Sequence, residues 1–228
     1  MAAASSDAYA APVVVREGLL LGRNSCCISE AGVADLRGRG VTHVVAVSME
    51  SSLVELGKGI AFMRVPIVDD IGEPLHTYLE DAATLLHAAL AGGSCACVCC
   101  AGGTSAGPAV AMYYLMRYDS KTLAEALDAV CAAQPDAQPN IGFIQRLIEA
   151  EAWLHGNATP SLTIQQYKWH FLQRLFPEVE RERVFEALHA GRHVITKQLR
   201  TSWHAESTYR VTVGRRSAGS AIPPTIGG

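Results

Sequence analysis

The densest chemistry in the chain is Ser94-Cys95-Ala96-Cys97-Val98-Cys99-Cys100, running on into Ala101-Gly102-Gly103-Thr104-Ser105-Ala106-Gly107-Pro108. A short apolar strand feeds a glycine-rich loop, and Pro108 suits the first turn of the helix that must come next. Strand, loop and helix N-terminus together aim backbone N–H groups at one point, an arrangement that favours an anion. The clustered cysteines also raise zinc. Thiols on alternate residues of one strand, however, stand about 6.6 Å apart, too far to be neighbours in one tetrahedral site. No metal or other cofactor is expected. Asp69-Asp70 reads as a loop acid or a solvated turn rather than a metal pair, and the histidines lack ligand spacing. The vicinal pairs Cys26-Cys27 and Cys99-Cys100 read as small buried hydrophobes.

The elements that must hold the loop are set by periodicity. Val13–Val15 and Gly18–Gly22 read as short strands about a turn at Glu17-Gly18, and Ser29 opens a helix that stops near Gly38 and Gly40. Thr42–Ser48 is apolar on both faces, as a strand covered on two sides must be. Met63–Asp69 reads as a further strand, with Pro66 placing it at an edge or ending it. Leu75–Leu90 has helical spacing and a glycine stop at Gly92-Gly93. Ala109–Tyr118, Leu123–Ala133 and Asn140–Leu154 read as helices, the first of them buried.

With 49% hydrophobic and 18% charged residues in 228, the chain has the composition of a folded domain with a small satellite. Residues 82–116 contain no Asp, Glu, Lys or Arg. A membrane span is the alternative there, but Gly92, Gly93, Gly102, Gly103, Gly107 and Pro108 cut the stretch into helix, strand, loop and helix. Seven cysteines without framework spacing fit a reducing, cytoplasmic compartment. The first basic residue is Arg16 and Asp7 precedes it, which argues against an Arg-rich targeting leader. Residues 14–155 carry 9 Lys and Arg against 16 Asp and Glu, whereas 156–228 carry 10 against 5. An acidic body with a basic tail favours a partner on the tail, whether acidic protein, tubulin-like surface or, less in keeping with the rest of the chain, nucleic acid, and argues against a polyanion site on the body.

The segments EGLLLGRNSC, VTHVVAVS, VPIVDD, VCCAGGTSAGPAVAMYYLM and QPNIGFIQRL stand in the order and spacing of the dual-specificity protein phosphatase family, which the chain resembles from residue 14 to about 155. The fold class this implies is α/β, the cysteine-phosphatase fold, a central mostly parallel sheet flanked by helices, plus a small C-terminal helical element and tail. The family loop reads His-Cys-x-x-Gly-x-Ser-Arg and then Ser or Thr. On that pattern Cys100 takes the nucleophile position, Gly103, Thr104 and Ser105 the phosphate-binding loop, and Asp69 the distance of the general acid. Pro139-Asn140-x-Gly142-Phe143 resembles a further signature of the family. The arginine position holds Ala106, the histidine position Cys99 and the adjoining hydroxyl position Gly107. Ala132-Ala133-Gln134-Pro135 stands where basic residues are common in the family.

Ala106 decides which activity the resemblance implies. A cysteine phosphatase needs a thiolate, helped by nearby positive charge, and a planar bidentate donor on the phosphoryl oxygens. Two charge-assisted hydrogen bonds at roughly 1.5–3 kcal/mol each correspond to a loss on the order of 10² to 10⁴ in rate. Arg117 lies roughly 15 Å further along the next helix by its rise. The expectation is a catalytically inactive, pseudophosphatase-like protein. It would act as a binding or scaffold component of a large cytoskeletal (axonemal, flagellar) or other stable assembly, with protein partners, phosphoproteins among them, and no membrane. The alternative is an active protein tyrosine/serine/threonine phosphatase using Cys100 and Asp69.

The expected organisation is an N-terminal tail (1–12), the phosphatase-like domain (13–155), a linker (156–161), a three-helix element (162–203) and a tail (204–228). Within the three-helix element, Leu175-Phe176-Pro177 and Leu199 resemble, loosely, the ubiquitin-contacting positions of the CUE module. The competing reading docks Trp169, Phe171 and Val184 on the main domain or a protein neighbour.

Overall fold

Alternation of side chains along β-branched and cysteine-rich runs builds one sheet. In the computed structural model, which describes residues 9–49, 59–156 and 159–175, its strands are β1 (Val13–Arg16), β2 (Leu19–Arg23), β3 (Val41–Val47), β4 (Ala61–Val65) and β5 (Cys95–Cys100). Their order is β1-β2-β5-β3-β4, with β1 antiparallel to β2 and every other pair parallel. β5 is therefore central, which explains why its residues are apolar or thiol-bearing on both faces. Ala96, Val98 and Cys100 face one core and Cys97 and Cys99 the other, as a two-residue period requires.

Helices cover both faces. On one side lie the single turn α1 (Ser25–Ile28) and α2 (Glu30–Gly38), the latter capped by Ser29, whose Oγ accepts from Gly32 N. On the other lie α3 (Leu79–Ala91), α4 (Ala106–Tyr118), α5 (Leu123–Ala133) and α6 (Ile141–His155). α4 is buried from Ala106 to Met116. The charge-free stretch 82–116 is thus α3, β5 and α4, the centre of the molecule. Among the described residues no helix is long and apolar enough to cross a membrane.

Two expectations need correction. The strand read as 63–69 runs instead from Ala61 to Val65. Pro66 has no N–H to donate, so the ladder stops before it and Asp69 sits on a loop at the edge of the sheet. The division at 155/156 is also displaced, because the compact unit continues to Leu175 and takes in α7 (Ile164–Leu175). Leu162, Tyr167 and Trp169 are buried, and Tyr167 Oη donates to Pro139 O.

Glu151 fastens this junction. Only 1% exposed, it accepts from Leu123 N at 2.7 Å, Ser161 N at 2.9 Å and Ser161 Oγ, so one α6 side chain joins the start of α5 to the segment before α7. Replacing Glu151 with Leu strands these donors. The expected cost is about 2–4 kcal/mol in denaturant unfolding, whereas Glu149→Gln on the exposed face of the same helix changes little.

Candidate functional site

The site lies at the C-terminal end of the central strand, where open α/β sheets place their ligand crevices. β5 ends at Cys100, the chain turns through residues 101–105, and α4 starts at Ala106. Gly103 takes φ +73°, which lets the backbone reverse. A side chain there would also collide with Arg23, whose Cγ lies 2.8 Å from the position of the absent Cβ. The loop is tied down from behind: Gln134 Nε2 donates to Gly103 O at 2.8 Å, Gln138 N to Thr104 O at 2.5 Å, and Asn24 N to Cys100 O at 2.9 Å.

Cys100 is 5% exposed, and the backbone N–H groups of Gly107, Ser105 and Gly103 favour its ionised form, the last of them also donating to Cys100 O at 3.2 Å. Burial nevertheless pushes this thiol up from its ordinary range, with the Asp69 carboxylate adding to the rise against those three donors. Arg117 lies beside Glu80 of α3, Nε to Oε1 at 3.3 Å, with its guanidinium 5.1 Å from the Tyr118 ring centre. Burial thus works against the thiolate form that nucleophilic attack would need.

Asp69 reaches the loop through a chain of side-chain contacts. Its Oδ1 accepts from Ser105 Oγ at 2.6 Å and Asn140 Nδ2 at 2.7 Å, while Asn140 N donates to Ser105 Oγ at 3.0 Å. Asn140 also caps α6, its Oδ1 accepting from Phe143 N at 2.9 Å. Gly142 is required where it stands, since a Cβ would lie 2.1 Å from Ile71 O. Asn140, Gly142 and the fully buried Phe143 thus press the Asp69 loop onto the cysteine loop.

A family model, dual specificity phosphatase catalytic domain, matches residues 25–152. The chain belongs to the dual specificity phosphatase family. Dual specificity phosphatase 28 of Mus musculus is 37% identical over 129 residues, 56% of this chain and 78% of that protein. Dual specificity protein phosphatase 14 of Homo sapiens is 28% identical over 153 residues, 67% of this chain and 75% of that protein. The crystal structure of human DUSP28 superposes with a TM-score of 0.60 at 33% identity, covering 66% of this chain and 99% of that one. A human tyrosine phosphatase-like serine/threonine/tyrosine-interacting protein, at 21% identity and a TM-score of 0.58 over 62% of this chain and 96% of that one, shares the fold.

The dual specificity phosphatase domain brings Cys100, Gly103, Thr104, Ser105, Ala106 and Asp69 into one place. Ser105 gives its backbone N–H to the thiol, while its hydroxyl is committed to Asp69. Leu175 is the last residue of α7, far in sequence from this loop, and Phe176, Pro177, Val184 and Leu199 lie outside the described residues. Sequence reasoning missed Arg23 and Gln134. Arg23 pairs with Cys100 in the β2–β5 register, and the cue in the sequence was a lone cation at the end of an apolar strand. Gln134 stands in the segment noted for lacking the family's basic residues, but nothing local marks its hydrogen bond to Gly103 O. Among the described residues no cluster of three His, Cys, Asp or Glu side chains could hold a metal ion.

Proposed function

We propose that this chain is a dual specificity phosphatase domain that no longer hydrolyses phosphoesters and serves as a binding or scaffold component of a protein assembly. The observation that carries this reading is Ala106. Where the resemblance calls for a guanidinium, the first residue of α4 is an alanine that is 4% exposed, close to a thiol that burial pushes up from its ordinary range. The fold is intact around that position, with the acid loop still fastened by Ser105 and Asn140. Exposed apolar side chains rim the same edge: Val68 and Ile71 flank Asp69, and Ile141 comes directly after Asn140. Such a rim favours contact with a protein surface. The compartment we propose, cytoplasmic and within a cytoskeletal (axonemal, flagellar) or other stable assembly, rests on composition alone. A ubiquitin contact through Leu175, Phe176, Pro177 and Leu199 likewise rests on the sequence pattern alone.

Arg23 supports a second reading. Its stem lies against the loop at Gly103, so it is the one cation, among the described residues, that the β2–β5 register sets beside Cys100, and an active phosphatase would have to draw on it. An aryl phosphate assay separates the two. The expected result is turnover no greater than that of Cys100→Ser. Turnover that Cys100→Ser abolishes and Arg23→Ala reduces would establish the second reading instead.

A further inference from the structure

Behind the loop, on the face of β5 opposite Cys100, two thiols from distant parts of the chain meet. Cys27 Sγ of α1 lies 2.9 Å from Cys99 Sγ of β5, the residues being 72 apart in sequence, and both side chains are fully buried. We propose that Cys27 and Cys99 form a disulfide under a two-electron oxidant of the peroxide class, a modification that clasps α1 to the end of the central strand. The pair is independent of the reading of the loop, since it requires neither Ala106 nor Cys100.

Geometry selects this pair. A disulfide bond is about 2.0 Å long, so closing the contact asks the sulfurs to approach by less than one bond length. Cys100 points into the other core and is excluded by the alternation of the strand. Cys26 Sγ donates to Ala10 O at 3.5 Å, and Cys97 Sγ to Val98 O at 3.7 Å, so neither shares the contact.

The oxidant's route is through α1. Four residues long and without a side-chain cap, α1 is the shorter of the two helices on this face, and its local opening is the route the proposal requires. The same segment holds two buried polar atoms without hydrogen-bond partners, Asn24 Oδ1 and Ser25 Oγ, which gives this otherwise apolar face a polar spot that water or peroxide could bond. The chemistry balances. Peroxide takes two electrons from one thiolate, whose sulfur becomes a sulfenic acid as the O–O bond breaks, and the departing hydroxide takes up the proton the thiol gave on ionisation to leave as one water. The second thiol displaces a second water, its S–H proton leaving with it, and the S–S bond forms. Contact with Cys27, together with burial, pushes the Cys99 thiol well up, so the rate climbs as pH rises toward thiol ionisation.

The test treats the folded full-length chain with hydrogen peroxide, blocks the remaining thiols with N-ethylmaleimide, and analyses a non-reducing digest by fragmentation mass spectrometry. A Cys27–Cys99 linkage is expected, lost on reduction, with Cys100 recovered as the maleimide adduct. The oxidised protein should melt higher than the reduced one by on the order of 10 °C, the effect of closing so long a loop. Cys27→Ala and Cys99→Ala should remove the linkage and the shift together, while Cys26→Ala and Cys97→Ala keep both. No linkage in the folded protein, linkage only after denaturation, or Cys27 paired with Cys26 or Cys100 would overturn the proposal. The wild-type digest decides this even if a variant does not fold.

Discussion

Ala106→Arg is expected to create aryl phosphate turnover some 10² to 10⁴ above the parent chain, and to lose it again in the double variant with Cys100→Ser. Two effects combine. A planar guanidinium at the start of α4 would supply two charge-assisted hydrogen bonds to phosphoryl oxygens, roughly 1.5–3 kcal/mol each, and about 1.4 kcal/mol corresponds to tenfold in rate. It would also place a positive charge near Cys100, whose thiol now rises through burial, and so increase the thiolate fraction at neutral pH. Alkylation of Cys100 by iodoacetamide, measured against pH, reads this second effect separately: in the variant the profile should move to lower pH. Ala106→Lys should gain far less, because a point charge cannot grip two oxygens. The donors already in place, the N–H groups of Gly107, Ser105 and Gly103, are common to all variants. If the arginine variant folds, shifts the alkylation profile and still shows no Cys100-dependent turnover, the deficit extends past this one side chain, to Cys99 or Gly107.

Gly142→Ala should cost about 2–3 kcal/mol, an unusual penalty for adding one methyl group to a helix. Ordinarily the same change in a helix gains about 0.5–1 kcal/mol. Here the new Cβ would stand 2.1 Å from Ile71 O and 2.8 Å from Ile71 C and Cα. The obstacle is backbone, so no rotamer change relieves it, and the loop carrying Asp69 must move off α6. Gly38→Ala at the end of α2 is the control, since nothing lies within 4 Å of its Cβ position. A thermal midpoint several degrees lower for the first variant, and unchanged or higher for the second, is expected. Hydrogen exchange at Gly72 N, which donates to Asp70 Oδ1 at 2.9 Å, should quicken in the first variant only. Equal behaviour of the two would mean that the approach of α6 to this loop does not hold the acid in place.

Much of the fold is legible in the chain because local physics writes it there. Strand-loop-helix punctuation around Cys100, the cap at Ser29 and the apolar run of β3 each depend on near neighbours in sequence, and each element appears where its residues predict it. The errors share one cause. Pro66 breaks a ladder wherever it falls, but whether it lies within or beyond this one depends on the register with β3, which ends at Val47 paired with Val65. The junction after 155 reads as linker from Gly156 and its polar neighbours, yet the buried Glu151 draws Ser161 back onto the domain.

By itself the sequence determined the chemical inventory at the loop: a thiol, a glycine turn, a helix start, and alanine where the family resemblance places arginine. A side chain that is absent is visible without coordinates. Only the tertiary structure decided how the remaining groups act on one another. It committed Asp69 to Ser105 and Asn140, laid the stem of Arg23 along Gly103, and brought Cys27 against Cys99 across 72 residues of chain. The reason is that hydrogen bonding, burial and thiol ionisation depend on distance in space. In a parallel sheet with crossover connections, neighbours in space come from segments far apart in sequence.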